Sequence, residues 1–188
     1  MLSKYNQLEI EPKWQKFWDD NNIFKFDPNS EKPVFSVDTP PPTVSSETLH
    51  VGHAMSYSQA EFVVRFFRML GRNIFYPMGF DDNGLPTERF VELKHKINKK
   101  IMPRKDFINL CLKETEISCE TYKTLWKKLG LSIDWSLTYS TIDERCRRIA
   151  QKSFIDLYNK KRIARMNEPI MWCTNCETAL AQADCEVE

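Results

Sequence analysis

The 188-residue sequence lacks the features that would place it in a membrane or on a highly charged partner. No apolar run approaches the roughly 20 residues that a membrane-spanning helix requires, and no apolar signal segment opens the chain. The formal net charge is only +1, so a polyanionic ligand must be met by a local patch. Six cysteines without a secretion signal are typical of reduced thiols. We therefore expect a cytoplasmic protein with no membrane contact.

Glycine is also scarce, with five residues, and none belongs to a GxxxxGK[ST] or GxGxxG nucleotide loop. These two phosphate-binding motifs are thereby excluded. Aromatic residues make up 12% of the chain, which argues against disorder and favours a globular domain.

The pattern of apolar residues predicts an α/β fold. Alternation over 33–39 and an apolar run over 73–80 predict two strands, and helical spacing over 52–69 predicts a helix between them. A strand, helix, strand unit implies a parallel sheet with a right-handed crossover. Helices are also predicted over 11–22, where three aromatic residues form a core-facing side, and over 104–130. The three are Trp14, Phe17 and Trp18.

The last part of the chain changes character. The segment TIDE at 141–144 predicts a capping box, which would open a helix that runs to about Arg162. Residues 164–188 have no helical period and indicate strands around a turn. We place a domain boundary there, with domains at 1–163 and 164–188.

The stretch TLHVGHA places two of the three histidines around a glycine, between the first strand and the helix. A helix N-terminus carries unpaired N–H groups and partial positive charge, so it favours phosphate. His50 and His53 can each donate a hydrogen bond to phosphate oxygens, and Gly52 lets a flat ring approach the backbone. A chance pair of surface histidines is the alternative.

Two further stretches flank this loop. The triple proline at 40–42 forms a stiff wall suited to a small apolar pocket, although it also serves as a strand terminator. After the second strand comes GFDDNGLPTE, with Asp81 and Asp82 at the same sheet edge. Neighbouring strand residues point to opposite faces, so only one carboxylate should face the loop and hold an ammonium group.

Together, PPPTVS, LHVGHA, GFDDNGLPTE, LGLSIDWSLTYSTID and WCTNCETALAQA resemble the class I aminoacyl-tRNA synthetases, and among them the valyl-tRNA synthetase family. The resemblance covers nearly the whole chain. It implies the first half of a Rossmann-like catalytic domain with an N-terminal helix and a helical extension. The implied activity is ATP-dependent activation of valine to valyl-adenylate and transfer to tRNA(Val), with Mg²⁺ accompanying ATP.

The resemblance also implies residue roles. His50, Gly52 and His53 would bind ATP, the two histidines being catalytic and the glycine lying under the adenine. Asp81 would pair with the amino group of valine. Pro41, Pro42 and Thr43 would belong to the amino acid site.

The chain departs from this family in three places. Ser45-Ser46-Glu47 precede the LHVGH signature where a single glycine is usual, which adds a negative charge beside the phosphates. The second, lysine-rich KMSKS-type signature is absent from the 188 residues. Cys173 and Cys176 form a CxxC, half of a structural zinc site, to which Cys185 would add a third sulfur.

Three interpretations of function stay open. The first is the N-terminal part of a valine-specific synthetase. The second is a truncated relative that binds ATP or an aminoacyl-adenylate without charging tRNA, and the third is an interaction module that keeps only the fold. The basic run 94–105 either contacts tRNA phosphates or is a solvated face.

Overall fold

The computed structural model describes residues 5–44, 48–182 and 185, so Ser45-Ser46-Glu47 lie outside the described residues. The chain divides into two compact units, Met1–Arg147 and Arg148–Glu188, and each is treated by itself. The helices are α1 (Gln7–Asp20), α2 (Val51–Met69), α3 (Leu85–His95), α4 (Arg104–Lys128) and α5 (Glu144–Asn159). The strands are β1 (Val34–Ser36), β2 (Asn73–Phe75), β3 (Gly79–Phe80), β4 (Tyr139–Ser140), β5 (Trp172–Cys173) and β6 (Thr178–Ala179).

The first unit is built on the predicted strand, helix, strand arrangement. β1 and β2 are parallel, with Phe35 opposite Ile74, and α2 is the crossover between them. α2 ends where predicted, because Gly71 adopts a left-handed conformation with φ of 78°. The parallel α/β character expected from the sequence is confirmed.

The apolar run 73–80 forms two short strands rather than one continuous ladder. The amide of Val37 donates to Phe75 O on one side, whereas the amide of Tyr139 donates to Met78 O on the other side. Pro77 lies between β2 and β3 and has no N–H to continue a ladder. Hydrogen bonding to the segment that follows β1 resumes at Asp81, whose amide donates to Pro42 O at the carboxyl end of the sheet.

The core lies where α2 and α4 cover this sheet. Trp126 of α4 is fully buried, and it contacts the rings of Tyr57 and Phe80 at centroid distances of 5.0 and 5.8 Å. Burial of large aromatic side chains of this kind is the main favourable term in a small core. The Trp126 ring therefore packs against both α2, which carries His53, and β3, which directly precedes Asp81.

β3 and β4 depend on a glycine for their close approach. They are parallel, with Gly79 opposite Tyr139, and a Cβ on Gly79 would clash with the Tyr139 ring. Any side chain at position 79 would displace that ring.

Two local predictions are wrong. Trp14 and Phe17 of α1 do not face a core, since they are 45% and 47% exposed. Helix α5 is not opened by a capping box at Thr141, because it begins at Glu144 and the amide of Cys146 donates to Asp143 Oδ1 at 2.6 Å. The Thr141 hydroxyl is used elsewhere, in the candidate site described below.

The second unit contains most of α5 and a β-hairpin. β5 and β6 are antiparallel, with Trp172 opposite Ala179, which agrees with the strands predicted around a turn. The domain boundary near residue 163 stays a prediction, because the division into compact units falls at 147 and 148.

Candidate active site

His50 caps the N-terminus of α2. Its Nδ1 accepts the backbone N–H of His53 at 3.3 Å, and the two imidazoles stack at a centroid distance of 3.8 Å. A neutral ring that accepts at Nδ1 carries its proton on Nε2. His50 is therefore arranged to cap its own helix with one nitrogen and to donate a hydrogen bond outward with the other.

Gly52 makes this cap possible. A Cβ at position 52 would lie 2.9 Å from His50 Cε1 and 3.0 Å from His50 Nδ1. The flat ring that the glycine admits against the backbone in this structure is thus the His50 imidazole. The adenine contact implied by the resemblance stays a prediction.

Replacing Gly52 by alanine should move the His50 ring with little change in stability. Loss of the cap costs about 1 kcal/mol, whereas removing a helical glycine gains roughly 0.5–1 kcal/mol. We expect the free energy of unfolding in urea to change by less than about 1 kcal/mol, while the NMR signals of the His50 ring shift clearly. Ser56→Ala on the same helix is the control and should leave those signals in place. Unchanged His50 signals in Gly52→Ala would show that the glycine does not set the ring position.

His53 lies deeper than His50. Burial, and secondarily the neighbouring His50, hold the pKa of His53 below its ordinary value, so the ring is neutral at pH 7. Its Nδ1 is a buried atom without a hydrogen-bond partner among the described residues. Thr39 Oγ1, on the segment that follows β1, is also buried and has no hydrogen-bond partner among the described residues. Buried polar atoms are normally satisfied, so both atoms are candidates to bind a ligand.

The proline segment and the second strand meet directly. The amide of Asp81 donates to Pro42 O at 2.9 Å, and the amide of Val44 donates to Asp81 O at 3.2 Å. Thr43 and Asp81 form an isolated parallel bridge. Pro42 is buried and Pro41 is half-buried beside it. The structure therefore brings together the four residues that the sequence predicts for the amino acid site.

The two adjacent aspartates have different environments. Asp82 is 8% exposed, and its carboxylate accepts hydrogen bonds from the Ser140 hydroxyl and from Cys119 Sγ. Asp81 is half-buried and accepts the Thr141 hydroxyl at 3.1 Å. Asp82 is thus occupied by structural hydrogen bonds in a buried position, and Asp81 is the more exposed of the two carboxylates.

Thr141 was not predicted to belong to this site. Its hydroxyl accepts the amide of Asp82 at 3.1 Å while it donates to Asp81, and so it orients the Asp81 side chain. In the sequence, Thr141 stands out only as the first residue of the TIDE segment, which predicted a helix cap instead.

Tyr57 has no role in the site predicted from the sequence, yet it connects the histidines to the proline segment. It lies one turn after His53, and its hydroxyl donates to Pro40 O at 2.7 Å. Burial raises the pKa of Tyr57 to about 12, so the hydroxyl stays a donor at neutral pH. The helix N-terminus is thereby fixed to the loop that carries Pro41 and Pro42.

The CxxC turn does not form a complete metal site. The amide of Cys176 donates to Cys173 Sγ at 3.3 Å, as expected for a tight turn. Among the residues that the structure describes, no three or more His, Cys, Asp or Glu side chains are grouped to hold a metal ion, and this includes Cys185. Four-coordinate zinc requires two more ligands than the CxxC supplies, so the residues present do not fit a structural zinc site on their own.

The basic run 94–105 is partly neutralised. Lys94 Nζ lies 2.9 Å from Glu114 Oε2, and Lys99 Nζ lies 2.5 Å from Glu88 Oε2. These two lysines join α3 to its surroundings, which favours the structural interpretation for them. Within the described ranges, no helix is both long and apolar enough to cross a membrane.

Comparison with known proteins agrees with this geometry. The family description "tRNA synthetases class I (I, L, M and V)" matches residues 13–188. The structure is similar to a LeuRS from Agrobacterium radiobacter K84 (agnB2), solved in a ternary complex with tRNA and LeuAMS. The TM-score is 0.79 at 28% identity, over 95% of this chain and 21% of that one. The chain belongs to the class I tRNA synthetases, and its fold is the Rossmann-like fold of that class.

Within that class, the chain is similar to valine–tRNA ligases. The valine–tRNA ligase of Rickettsia prowazekii (strain Madrid E) is 51% identical over 183 residues, which is 97% of this chain and 22% of that protein. The ligase of Rickettsia conorii (strain ATCC VR-613 / Malish 7) has the same identity and coverage. The chain thus spans about a fifth of the length of these relatives.

Proposed function

We propose that this chain is the first part of the catalytic domain of a valine–tRNA ligase. The whole enzyme activates valine with Mg²⁺·ATP and transfers it to tRNA(Val). The observation that carries the proposal is the meeting of the Asp81 edge with the Pro41–Pro42 segment, joined through Tyr57 to the histidine pair. The 51% identity to a valine–tRNA ligase supports valine as the amino acid. The cytoplasmic location stays a prediction.

ATP binds with its phosphates at the N-terminus of α2. The helix end supplies partial positive charge, and His50 Nε2 supplies a donor that the cap fixes in direction. His53 is held neutral by burial, so its contribution is a hydrogen bond rather than a full charge. The structure does not describe Glu47, so its expected repulsion of the phosphates stays a prediction.

Valine binds at the carboxyl end of the sheet, where Asp81 meets the proline segment. Its ammonium group pairs with Asp81, which Thr141 orients, and its side chain lies against Pro41 and Pro42. Proline walls offer no N–H groups, so they favour an apolar side chain.

The reaction follows from this placement. A carboxylate oxygen of valine attacks the α-phosphorus, the bond to the bridging oxygen breaks, and pyrophosphate leaves with the electron pair. Valyl-adenylate forms without a net proton transfer. Positioning and charge neutralisation are therefore the main requirements, which agrees with a site made of a helix N-terminus, two imidazoles and the half-buried carboxylate of Asp81.

A second candidate is a truncated relative that binds the adenylate without charging tRNA. The chain spans 22% of the length of the Rickettsia prowazekii ligase, and the 188 residues alone are consistent with either candidate. Both candidates place the adenylate at the same residues, and they differ only in whether a further polypeptide completes the enzyme.

The two aspartates should separate binding from stability. Asp81→Asn removes a charge-assisted hydrogen bond to the ammonium group, so a valyl sulfamoyl-adenylate analogue should bind roughly tenfold to a hundredfold more weakly by NMR titration. Asp82→Asn should leave the affinity within about twofold but lower the free energy of unfolding by about 1 kcal/mol, because its buried hydrogen bonds weaken.

The leucyl analogue is the specificity control and should bind more weakly than the valyl analogue. Equal affinity of the wild-type chain and Asp81→Asn for the valyl analogue would contradict the assignment of Asp81. Equal affinity for both analogues would contradict the choice of valine.

A further inference from the structure

The triple proline at 40–42 can form backbone hydrogen bonds only through its carbonyl groups, because proline has no N–H to donate. Two such bonds are made with other described residues. The Tyr57 hydroxyl donates to Pro40 O at 2.7 Å, and the amide of Asp81 donates to Pro42 O at 2.9 Å. The proline segment is therefore anchored at both ends, with Pro41 between the two anchors.

The segment is stiff between these anchors. Proline fixes φ at about −65°, and a run of prolines favours the extended polyproline conformation. A shift of Pro40 is therefore passed on to Pro41 rather than absorbed by a local rotation of the chain. Tyr122 of α4 also approaches the segment, but its hydroxyl lies 3.5 Å from Thr43 O, which is long for a hydrogen bond between two oxygens. The Tyr57 hydroxyl is thus the stronger side-chain anchor.

The Tyr57 side chain is itself held firmly. It is 5% exposed, and its ring packs against the Trp126 indole at a centroid distance of 5.0 Å. Burial raises the pKa of Tyr57 to about 12, so the hydroxyl keeps its proton and donates at neutral pH. The proline segment is therefore anchored to a fixed point of α2, the helix whose N-terminus carries His50 and His53.

We propose that Tyr57 is a positioning residue that sets the selectivity of the amino acid site for valine. Its hydroxyl, acting through Pro40, holds the wall formed by Pro41 and Pro42 at the distance from Asp81 that fits a valine side chain. This inference rests on the proposed function, which places the valine side chain against that wall. An apolar pocket discriminates one methylene group by only about 10–200-fold, and the discrimination depends on where its walls stand. A wall released from Tyr57 retreats and admits a larger side chain.

Tyr57→Phe tests the proposal, because it removes the hydroxyl and keeps the ring that packs on Trp126. Binding of the valyl and leucyl sulfamoyl-adenylate analogues to the purified chain is measured by NMR titration. Loss of the hydrogen bond should weaken binding of the valyl analogue about fivefold. The larger leucyl analogue should change by less than about twofold, so the preference for the valyl analogue falls. A purely structural loss would weaken both analogues alike.

Tyr76→Phe is the matched control. Tyr76 is a fully buried residue of the same core, and its hydroxyl has no hydrogen-bond partner among the described residues. The substitution therefore makes the same chemical change without removing a bond to the proline segment. It should leave the affinity for both analogues within about twofold of the wild-type values. Circular dichroism of each purified variant shows that it is folded.

Hydrogen exchange of the Asp81 amide gives a test that needs no ligand. This amide donates to Pro42 O, so its exchange rate reports how firmly the proline segment is held. Tyr57→Phe should raise that rate about fivefold or more, and Tyr76→Phe should not. The amide of Leu131, which donates to Trp126 O, is the internal reference, and its rate should rise less than that of Asp81.

The outcomes separate this inference from the proposed function. An unchanged exchange rate of the Asp81 amide in Tyr57→Phe would overturn the inference, whatever the analogues do. An unchanged preference for the valyl analogue, or an equal loss of preference in Tyr76→Phe, would overturn it as well. Faster exchange in Tyr57→Phe, with neither analogue bound by the wild-type chain, would refute the proposed function and with it the selectivity, and would confirm only that Tyr57 anchors the segment.

Discussion

The purified 188-residue chain alone is expected to show no valine-dependent pyrophosphate exchange and no charging of tRNA(Val) above background. Among the residues that the structure describes, the donors assigned to the proposed phosphate site come from the α2 N-terminus with His50 and His53. The lysine-rich signature of the family is not among the 188 residues. Losing one preorganised partner of the developing charge costs about 10²–10³ in rate, so two such losses lower the rate by at least about 10⁴.

The measurement compares the chain alone with a fusion in which the remainder of the Rickettsia prowazekii valine–tRNA ligase follows residue 188. Exchange should appear only in the fusion, and His50→Ala with His53→Ala should abolish it there. Ser56→Ala, an exposed position on the same helix, should not. Robust exchange by the chain alone that disappears in the double histidine variant would show that the chain is a complete catalyst.

Local patterns in the sequence were enough to predict the elements that carry the site. Alternation, helical spacing and Gly71 predict β1, α2 and β2, since each signal depends on residues close together in the chain. The meeting of the proline segment with Asp81 follows from the parallel arrangement, because the carboxyl ends of neighbouring parallel strands share one edge.

Contacts between distant residues could not be predicted in this way. Thr141 bonds to Asp81 from 60 positions away, and the local TIDE pattern favoured a helix cap instead. Trp14 and Phe17 were predicted to face a core but are exposed. An aromatic helix face is buried only where a second surface covers it.

Glu61 is the clearest buried polar residue that no local pattern predicts. It lies on α2 at 4% exposure, Oε2 accepts the amide of Ser132 at 2.8 Å, and Oε1 accepts Arg65 Nε at 2.6 Å. The Arg65 side chain is nearly half exposed, so solvent screens its share of the ion pair. The backbone N–H of Ser132 is buried, so solvent does not screen its hydrogen bond to Glu61.

Glu61→Ala should therefore lower the free energy of unfolding by about 3 kcal/mol, because it removes a buried acceptor and leaves the Ser132 N–H unsatisfied. Glu61→Gln keeps one acceptor oxygen and should cost about 1 kcal/mol. Glu120→Ala, an exposed glutamate on α4, is the control and should cost less than about 0.5 kcal/mol. Urea unfolding of the isolated chain measures all three.

The relative costs of Glu61→Ala and Glu61→Gln distinguish two roles of the Glu61 carboxylate. If the carboxylate acts mainly through its charge on Arg65, glutamine and alanine should be equally damaging. If it acts mainly as an acceptor for Ser132, glutamine should restore most of the loss. The second outcome is expected, because the Ser132 amide is buried while the guanidinium reaches water. Equal costs for Gln and Ala would show that the ion pair, rather than the buried hydrogen bond, fixes α2 to the segment after α4.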